Sequence, residues 1–221
     1  MFYLITISLI ALLSARLYWV LPAFATRPPS SRLRKGKEPS TGGNKVLCVV
    51  LGSGGHTAEM VRLMHGIDFE RYTKRLYIVS ESDTLSANQI AEIERPLMSD
   101  YSQEYIVGRV PRSRQVGQSL VSALISAARC LAATAWLLQS HLPDIVLCNG
   151  PGNCVIVCVL VMVLRVLGVK RIPIVHVESF ARVRSLSLSG KIAYYLADRF
   201  IVQWPGLQQK YPRAEYIPNL V

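Results

Sequence analysis

The sequence predicts an α/β fold: one Rossmann-like, doubly wound parallel sheet, preceded by a single N-terminal transmembrane helix. Three observations carry this reading. Short, wholly apolar runs alternate with helical segments from Lys45 onward, glycine-rich loops close two of those runs, and residues 1–25 contain one charged side chain, Arg16. Strands that are apolar on both faces must be covered on both faces, and intervening helices supply the crossovers a parallel sheet needs.

With 221 residues, 51 % of them hydrophobic, the chain has material for one sizeable core and an appendage, not for two full enzyme lobes. It is too apolar to be a disordered polycation despite a net charge of +11. The charge is uneven: residues 1–45 hold seven Lys/Arg against one Glu, and residues 46–221 hold eighteen against thirteen acids. Such a bias places the N-terminal fifth beside an anionic or membrane surface. The body's modest excess, the lack of a known motif and aromatics not interleaved with bases argue against nucleic-acid binding.

The first element is the apolar run Phe2–Ala25, within an expected anchor over residues 1–25. As a helix it reaches roughly 36 Å, enough to cross a ~30 Å hydrocarbon core with some tilt. Arg16 opposes insertion by roughly 3 kcal/mol, but twelve Leu, Ile, Phe and Val residues offer about −4 to −7 kcal/mol together. The basic, Pro/Ser/Gly-rich stretch 26–44 follows as a linker, and by the positive-inside rule it holds the body in the cytosol and the N-terminus across the membrane. A cleaved signal peptide is the rival, because Ala23-Phe24-Ala25 resembles a cleavage site; the missing basic n-region and the basic cluster after the run oppose it.

Residues 45–221 form the lobe. Strands are expected at Val46–Leu51, Leu76–Ser80, Tyr105–Val107, Ile145–Cys148, Ile172–Val177 and Phe200–Gln203. Helices are expected at Ala58–Met64, Ser86–Glu94, Gln118–Gln139, Cys154–Leu167 and Gly190–Ala197. The uncharged part of the helix after Cys154 is too short to span a bilayer and reads as buried, although it and Gln118–Gln139 are also apolar enough to lay a face on lipid. Five cysteines, odd in number, within apolar runs and without a C-x-x-C pair, read as core thiols rather than as a metal site.

Ligands of such a sheet bind beyond the carboxyl ends of its strands, at the switch in strand order. The loop Gly52-Ser53-Gly54-Gly55-His56-Thr57 opens a helix there, with backbone N–H groups suited to phosphate. It lacks the third glycine of a dinucleotide fingerprint and the lysine of a P-loop, and it also reads as a plain tight turn capped by Thr57. His56 stands at the crevice mouth as a candidate base or hydroxyl ligand, or else as an exposed histidine. Asn149-Gly150-Pro151-Gly152 opens a second helix; two helix N-termini suit a diphosphate, and a rigid turn is the alternative. Arg109, Arg112 and Arg114 form a basic turn that either contacts phosphates or is merely solvated.

Taken together, the strand-GSGGHT-helix opening, DIVLCNGPG, HVESFARVRSLSLSGK and RFIVQWP resemble one family. It is that of the membrane-anchored subunits of the eukaryotic UDP-N-acetylglucosamine transferase of dolichol-linked oligosaccharide synthesis. The likeness spans Lys45 to the end. The pattern is more distantly similar to the N-terminal half of the GT-B transferase that adds N-acetylglucosamine to lipid I. There Gly52, Gly54, Gly55, His56, Gly150, Pro151, His176 and Glu178 have counterparts, although Val177 separates the last two.

The resemblance implies half of a GT-B enzyme at the endoplasmic reticulum membrane, single-pass, with a lumenal N-terminus. Its partner is a soluble catalytic subunit that carries UDP-GlcNAc, and its acceptor is dolichyl-diphosphate GlcNAc. The preceding GlcNAc-phosphate transferase of the pathway is a further contact. The implied reaction is inverting, with no cofactor and no metal, and with His56 or Glu178 as the base, His56 being preferred. Gly52, Ser53, Gly54, Gly55, Thr57, Asn149, Gly150, Pro151, Gly152 and the three arginines would hold the acceptor diphosphate. Within the tail 211–221, Tyr216, Ile217, Leu220 and Val221 would dock the partner. Two other classes compete: a scaffold without catalytic residues, and a membrane-tethered NAD(P) reductase, which the glycine spacing and the missing Tyr-x-x-x-Lys oppose.

Overall fold

The computed structural model describes residues 2–22, 45–97, 104–113, 118–150 and 152–220. Residues 23–25 of the expected anchor, the expected linker 26–44, Arg114, Pro151 and Val221 lie outside the described residues.

In chain order the elements are α1 (Phe2–Val20), β1 (Val46–Leu51), α2 (Gly55–Met64), β2 (Lys74–Ser80), α3 (Thr84–Glu94), β3 (Glu104–Val110) and α4 (Leu120–Ser140). They continue as β4 (Ile145–Asn149), α5 (Asn153–Val166), β5 (Ile174–Val177), α6 (Leu188–Leu196), β6 (Arg199–Val202), α7 (Pro205–Lys210) and β7 (Ala214–Tyr216). The seven strands form one sheet in the order β3-β2-β1-β4-β5-β6-β7, and every pairing is parallel. The chain steps outward from β1 to β3, returns to lay β4 beside β1, then steps outward the other way. The order of strands therefore reverses between β1 and β4.

Alternation of side chains along each strand divides the core into two layers. Cys48, Val50, Leu76, Ile78, Val146 and Cys148 face α4, α5 and α6, where Leu138, Val157, Val161 and Ala193 meet them. Leu47, Val49, Leu51, Tyr77 and Val79 face α2 and α3, against Met60, Met64 and Ile90. Both faces are covered, which is why the strands read as unbroken apolar runs. All five cysteines are free and buried in the first layer, and burial pushes the Cys48 thiol up.

Three of the differences from expectation move candidate site residues. β3 extends to Val110, so Arg109 is a strand residue paired with Val79 and not part of a turn. As an edge strand it alternates, with Gly108 and Val110 buried and Arg109 exposed. α2 begins at Gly55, which brings His56 and Thr57 into its first turn. The tail contributes β7, whose hydrogen bonds to β6 extend the sheet. Ile217 and Leu220 then pack against the layer under α2 and α3, while Tyr216 is exposed on the outer strand. A three-residue strand after a proline is too short for periodicity to reveal.

The 19 residues of α1 reach about 28 Å and expose Ile7, Ile10, Leu12 and Leu13. Arg16, the one charged side chain of α1, donates from Nε to the Val166 carbonyl (3.2 Å) and from Nη2 to that of Arg165 (3.3 Å). Those carbonyls end α5, where the Arg165 carbonyl also accepts the Gly168 N–H (3.1 Å), so a cation there meets the negative end of the helix dipole. α4 buries Cys130, Thr134, Leu137 and Leu138 and turns Val121, Leu124, Ile125 and Trp136 outward. Among the described residues, Val121–Ser140 is the one helix long and apolar enough to cross a membrane by length and composition; Thr6–Val20 and Asn153–Val166 are shorter apolar stretches.

Candidate functional site

The switch between β1 and β4 places the two glycine loops side by side. Leu51 pairs with Asn149 at the last rung, so the chain leaves β1 as Gly52–Gly54 next to where it leaves β4 as Asn149-Gly150. From there α2 and α5 depart to opposite faces of the sheet, opening a crevice between their first turns.

The N-termini of these two helices differ from their neighbours. Asp83, Ser119 and Ser187 cap α3, α4 and α6 with side-chain oxygens. α2 and α5 start from Gly54 and Gly152 with no side-chain cap. No side chain caps their first N–H groups among the described residues, a geometry suited to an anion. Gly54 has φ 67°, and a Cβ on Gly54 or Gly55 would meet open space, so the outer side of this loop is unobstructed. Gly150 has φ 129° and lies against Gly52 and His56, locking the two loops together.

His56 is half-buried, with Nδ1 3.0 Å from Asn149 Oδ1. Asn149 is fully buried, and its Nδ2 donates to Glu59 Oε2 at 2.9 Å. Glu59 Oε1 accepts from Ser179 Oγ, just past β5, at 2.8 Å. The Asn149 side chain thus holds other protein groups and does not face the crevice as a ligand contact. Thr57 is also turned inward: its hydroxyl bonds the Gly52 carbonyl and meets Ser86 Oγ at 2.6 Å, tying the loop to the start of α3. Ser53 is exposed on the loop.

Glu178 lies elsewhere. It is 3 % exposed, Ser187 Oγ donates to its Oε2 at 3.4 Å, and that oxygen fills the space a side chain on Gly190 would need. Burial raises its pKa, against the lowering effect of its bonds to Ser187 and the Ser179 backbone. Its carboxylate sits at the start of α6, behind the Ser187 cap. His176 stacks on Phe200 (5.0 Å between centroids), and burial, helped by His56, lowers its pKa to about 4, so it is a neutral core ring.

Of the arginines, Arg112 is exposed directly beside the second loop, because Asn153 Oδ1 holds the Ser113 N–H (3.2 Å) and Ser113 Oγ fills the space next to Gly152. Arg109 points to the α2/α3 side of the edge strand, the face on which Tyr105 and Val107 pack. Glu59 is the residue sequence reading passed over. The available signal was its position three residues after His56, which sets both on one face of a helix.

The family model described as oligosaccharide biosynthesis protein Alg14 like matches residues 47–220. The chain is 45 % identical over 179 residues to the UDP-N-acetylglucosamine transferase subunit ALG14 of Rattus norvegicus, covering 79 % of this chain and 82 % of that one. It is 39 % identical over 219 residues to the subunit of the same name from Yarrowia lipolytica, covering 97 % and 95 %. Among solved structures, Acinetobacter baumannii MurG is similar at 14 % identity and a TM-score of 0.49, over 73 % of this chain and 42 % of that one.

Proposed function

The chain belongs to the family of Alg14-like oligosaccharide biosynthesis proteins, and from that premise we propose that it is the acceptor-side, membrane-anchoring subunit of a two-chain UDP-N-acetylglucosamine transferase. The acceptor is GlcNAc-diphosphate-dolichol at the cytosolic face of the endoplasmic reticulum, and the product is the second GlcNAc linkage of the N-glycan precursor. The soluble partner holds UDP-GlcNAc. The acceptor 4-hydroxyl attacks the anomeric carbon, the bond to UDP breaks with its electron pair leaving on the phosphate, and configuration inverts.

The observation that best supports this reading is His56. Its ring stands in the crevice with Nδ1 engaged by Asn149, between two helix N-termini without side-chain caps. His56 Nε2 takes the hydroxyl proton. The acceptor diphosphate lies against the first turns of α2 and α5, with Arg112 as its counter-charge. Glu178, turned to α6, serves the fold more than the proton transfer, and Thr57 and Asn149 shape the loops from behind. Residues 1–25 anchor the chain with the N-terminus lumenal, 26–44 link, and 45–221 form the acceptor-side lobe; the apolar exposed surface of α1 supports the anchor. Anchoring confines the search for a lipid acceptor to two dimensions. The outer strand β7, with Tyr216 exposed, docks the partner.

The test uses the full chain and its soluble partner reconstituted in nanodiscs with labelled UDP-GlcNAc. His56→Ala should lower turnover by about 10²–10⁴-fold with the complex intact. Wild-type turnover by that variant removes His56 as the base and leaves the scaffold reading.

A further inference from the structure

Glu59 is where the hydrogen bonds of the crevice converge. It sits one turn beyond His56 on α2 and accepts from the ends of two strands: from Asn149 Nδ2 at the end of β4 (2.9 Å) and from Ser179 Oγ just after β5 (2.8 Å). Ser179 Oγ in turn accepts the Ala181 N–H at 3.3 Å, so its own hydrogen is available to Glu59.

A carboxylate accepts and does not donate. Asn149 must therefore present its NH2 to Glu59 and its carbonyl oxygen to His56. With the amide reversed, two acceptor oxygens would face each other in a buried place. A carbonyl oxygen cannot donate either, so the 3.0 Å contact requires a hydrogen on His56 Nδ1. The neutral ring then carries its free lone pair on Nε2. Direction passes from Glu59 through Asn149 to His56 because each group has one role left.

We infer that Glu59 is a positioning residue: through Asn149 it fixes the tautomer and ring orientation of His56, without touching substrate. The inference rests on the proposed reading of His56 as the proton acceptor, and its test separates the two.

The full chain, with its four histidines labelled with ¹⁵N, is placed in nanodiscs at a pH where the ring is neutral. Long-range ¹H–¹⁵N correlations read the tautomer, and His56→Asn identifies the signal. Wild type should show Nδ1–H. In Glu59→Gln the new amide can donate or accept, so a mixture of tautomers should appear, with kcat down about tenfold or more and KM for both substrates within about twofold. Glu59→Gln/Asn149→Asp moves the carboxylate one step along the chain. The amide now at position 59 can donate to the carboxylate now at position 149, which still accepts from His56, so Nδ1–H and most of the turnover should return. An unchanged, pure Nδ1–H signal in Glu59→Gln overturns the inference whatever the activity. Should that variant fail to fold, an Nε2–H signal in the double variant overturns it equally. A tautomer shift with wild-type turnover upholds the positioning by Glu59 and removes His56 as the base.

Discussion

Replacing Gly150 by alanine tests the crevice at its tightest point. The backbone there has φ 129°, and an added Cβ would stand 3.3 Å from Gly52 Cα and 3.3 Å from His56 Cγ. The conformation costs an L-residue about 1–3 kcal/mol, and the contacts, tighter than van der Waals spacing, add about 1 kcal/mol or more. Relief comes by pushing the His56 ring or separating the two loops, since Gly52 is backbone. A loss of about 2–4 kcal/mol is survivable for a domain of ordinary stability and lowers Tm by roughly 5–15 °C. Displacement of His56 by a fraction of an ångström should lower turnover by about tenfold to a hundredfold. The assay pairs thermal melting by circular dichroism with turnover of the reconstituted pair. Gly206→Ala is the control, because a Cβ there meets nothing within 4 Å, so both readouts should stay near wild type. Lowered Tm with turnover within about twofold of wild type would refute the placement of His56 by this loop, and an unchanged Tm would refute the strain argument.

Three further outcomes are expected. Glu94 lies fully buried, accepting from Arg75 Nε (2.6 Å) and Tyr77 Oη (2.5 Å); Glu94→Ala removes the carboxylate that neutralises a buried guanidinium and should cost about 3–5 kcal/mol by denaturant unfolding, whereas Arg75→Met/Glu94→Leu should cost clearly less. His176, ordinarily near 6.5 and lowered to about 4 chiefly by burial and then by His56, binds its proton more weakly folded than unfolded. Its stabilising contribution is present above pH 6.5 and lost as pH falls through about 4, by about 3 kcal/mol in all. His176→Phe should flatten that part of the stability–pH curve; the raised pKa of Glu178 acts in the opposite sense, since its contribution is lost as pH rises. Arg16→Leu removes the donors to the Arg165 and Val166 carbonyls, so the distance distribution between spin labels at Leu13 and Val169 should broaden while the chain stays in the membrane fraction.

Much of the fold is legible because its signals are local. Val46–Leu51 is apolar without interruption because both its faces are covered, and the structure returns those bounds unchanged. β3 is longer than Tyr105–Val107 because an edge strand tolerates Glu104 and Arg109 on exposed positions, which breaks the apolar run. α7 and β7 are too short for a period to show, and β7 is held by pairing with β6. At the site, the glycine loops and His56 are visible as turn residues at strand ends. The inward roles of Thr57 and Asn149 are not, because a polar residue in a loop looks the same facing a ligand or its own backbone. Glu178 resembles a site residue in sequence, yet Ser187 and the bare backbone of Gly190 draw its carboxylate to α6.

The parallel α/β architecture, the two glycine-opened helices and the apolar N-terminal run are all written in the order of residues alone. Each depends on periodicity or turn chemistry within about twenty residues. Which side chains act on one another is a matter of packing. His56 and Asn149 are 93 positions apart, Asn149 and Glu59 are 90, and Ser179 and Glu59 are 120. They meet because helical crossovers lay β1, β4 and β5 side by side with their carboxyl ends level. Arg16 and the end of α5 meet in the same way across 149 positions. No local pattern encodes such pairs; burying both faces of the sheet brings them together.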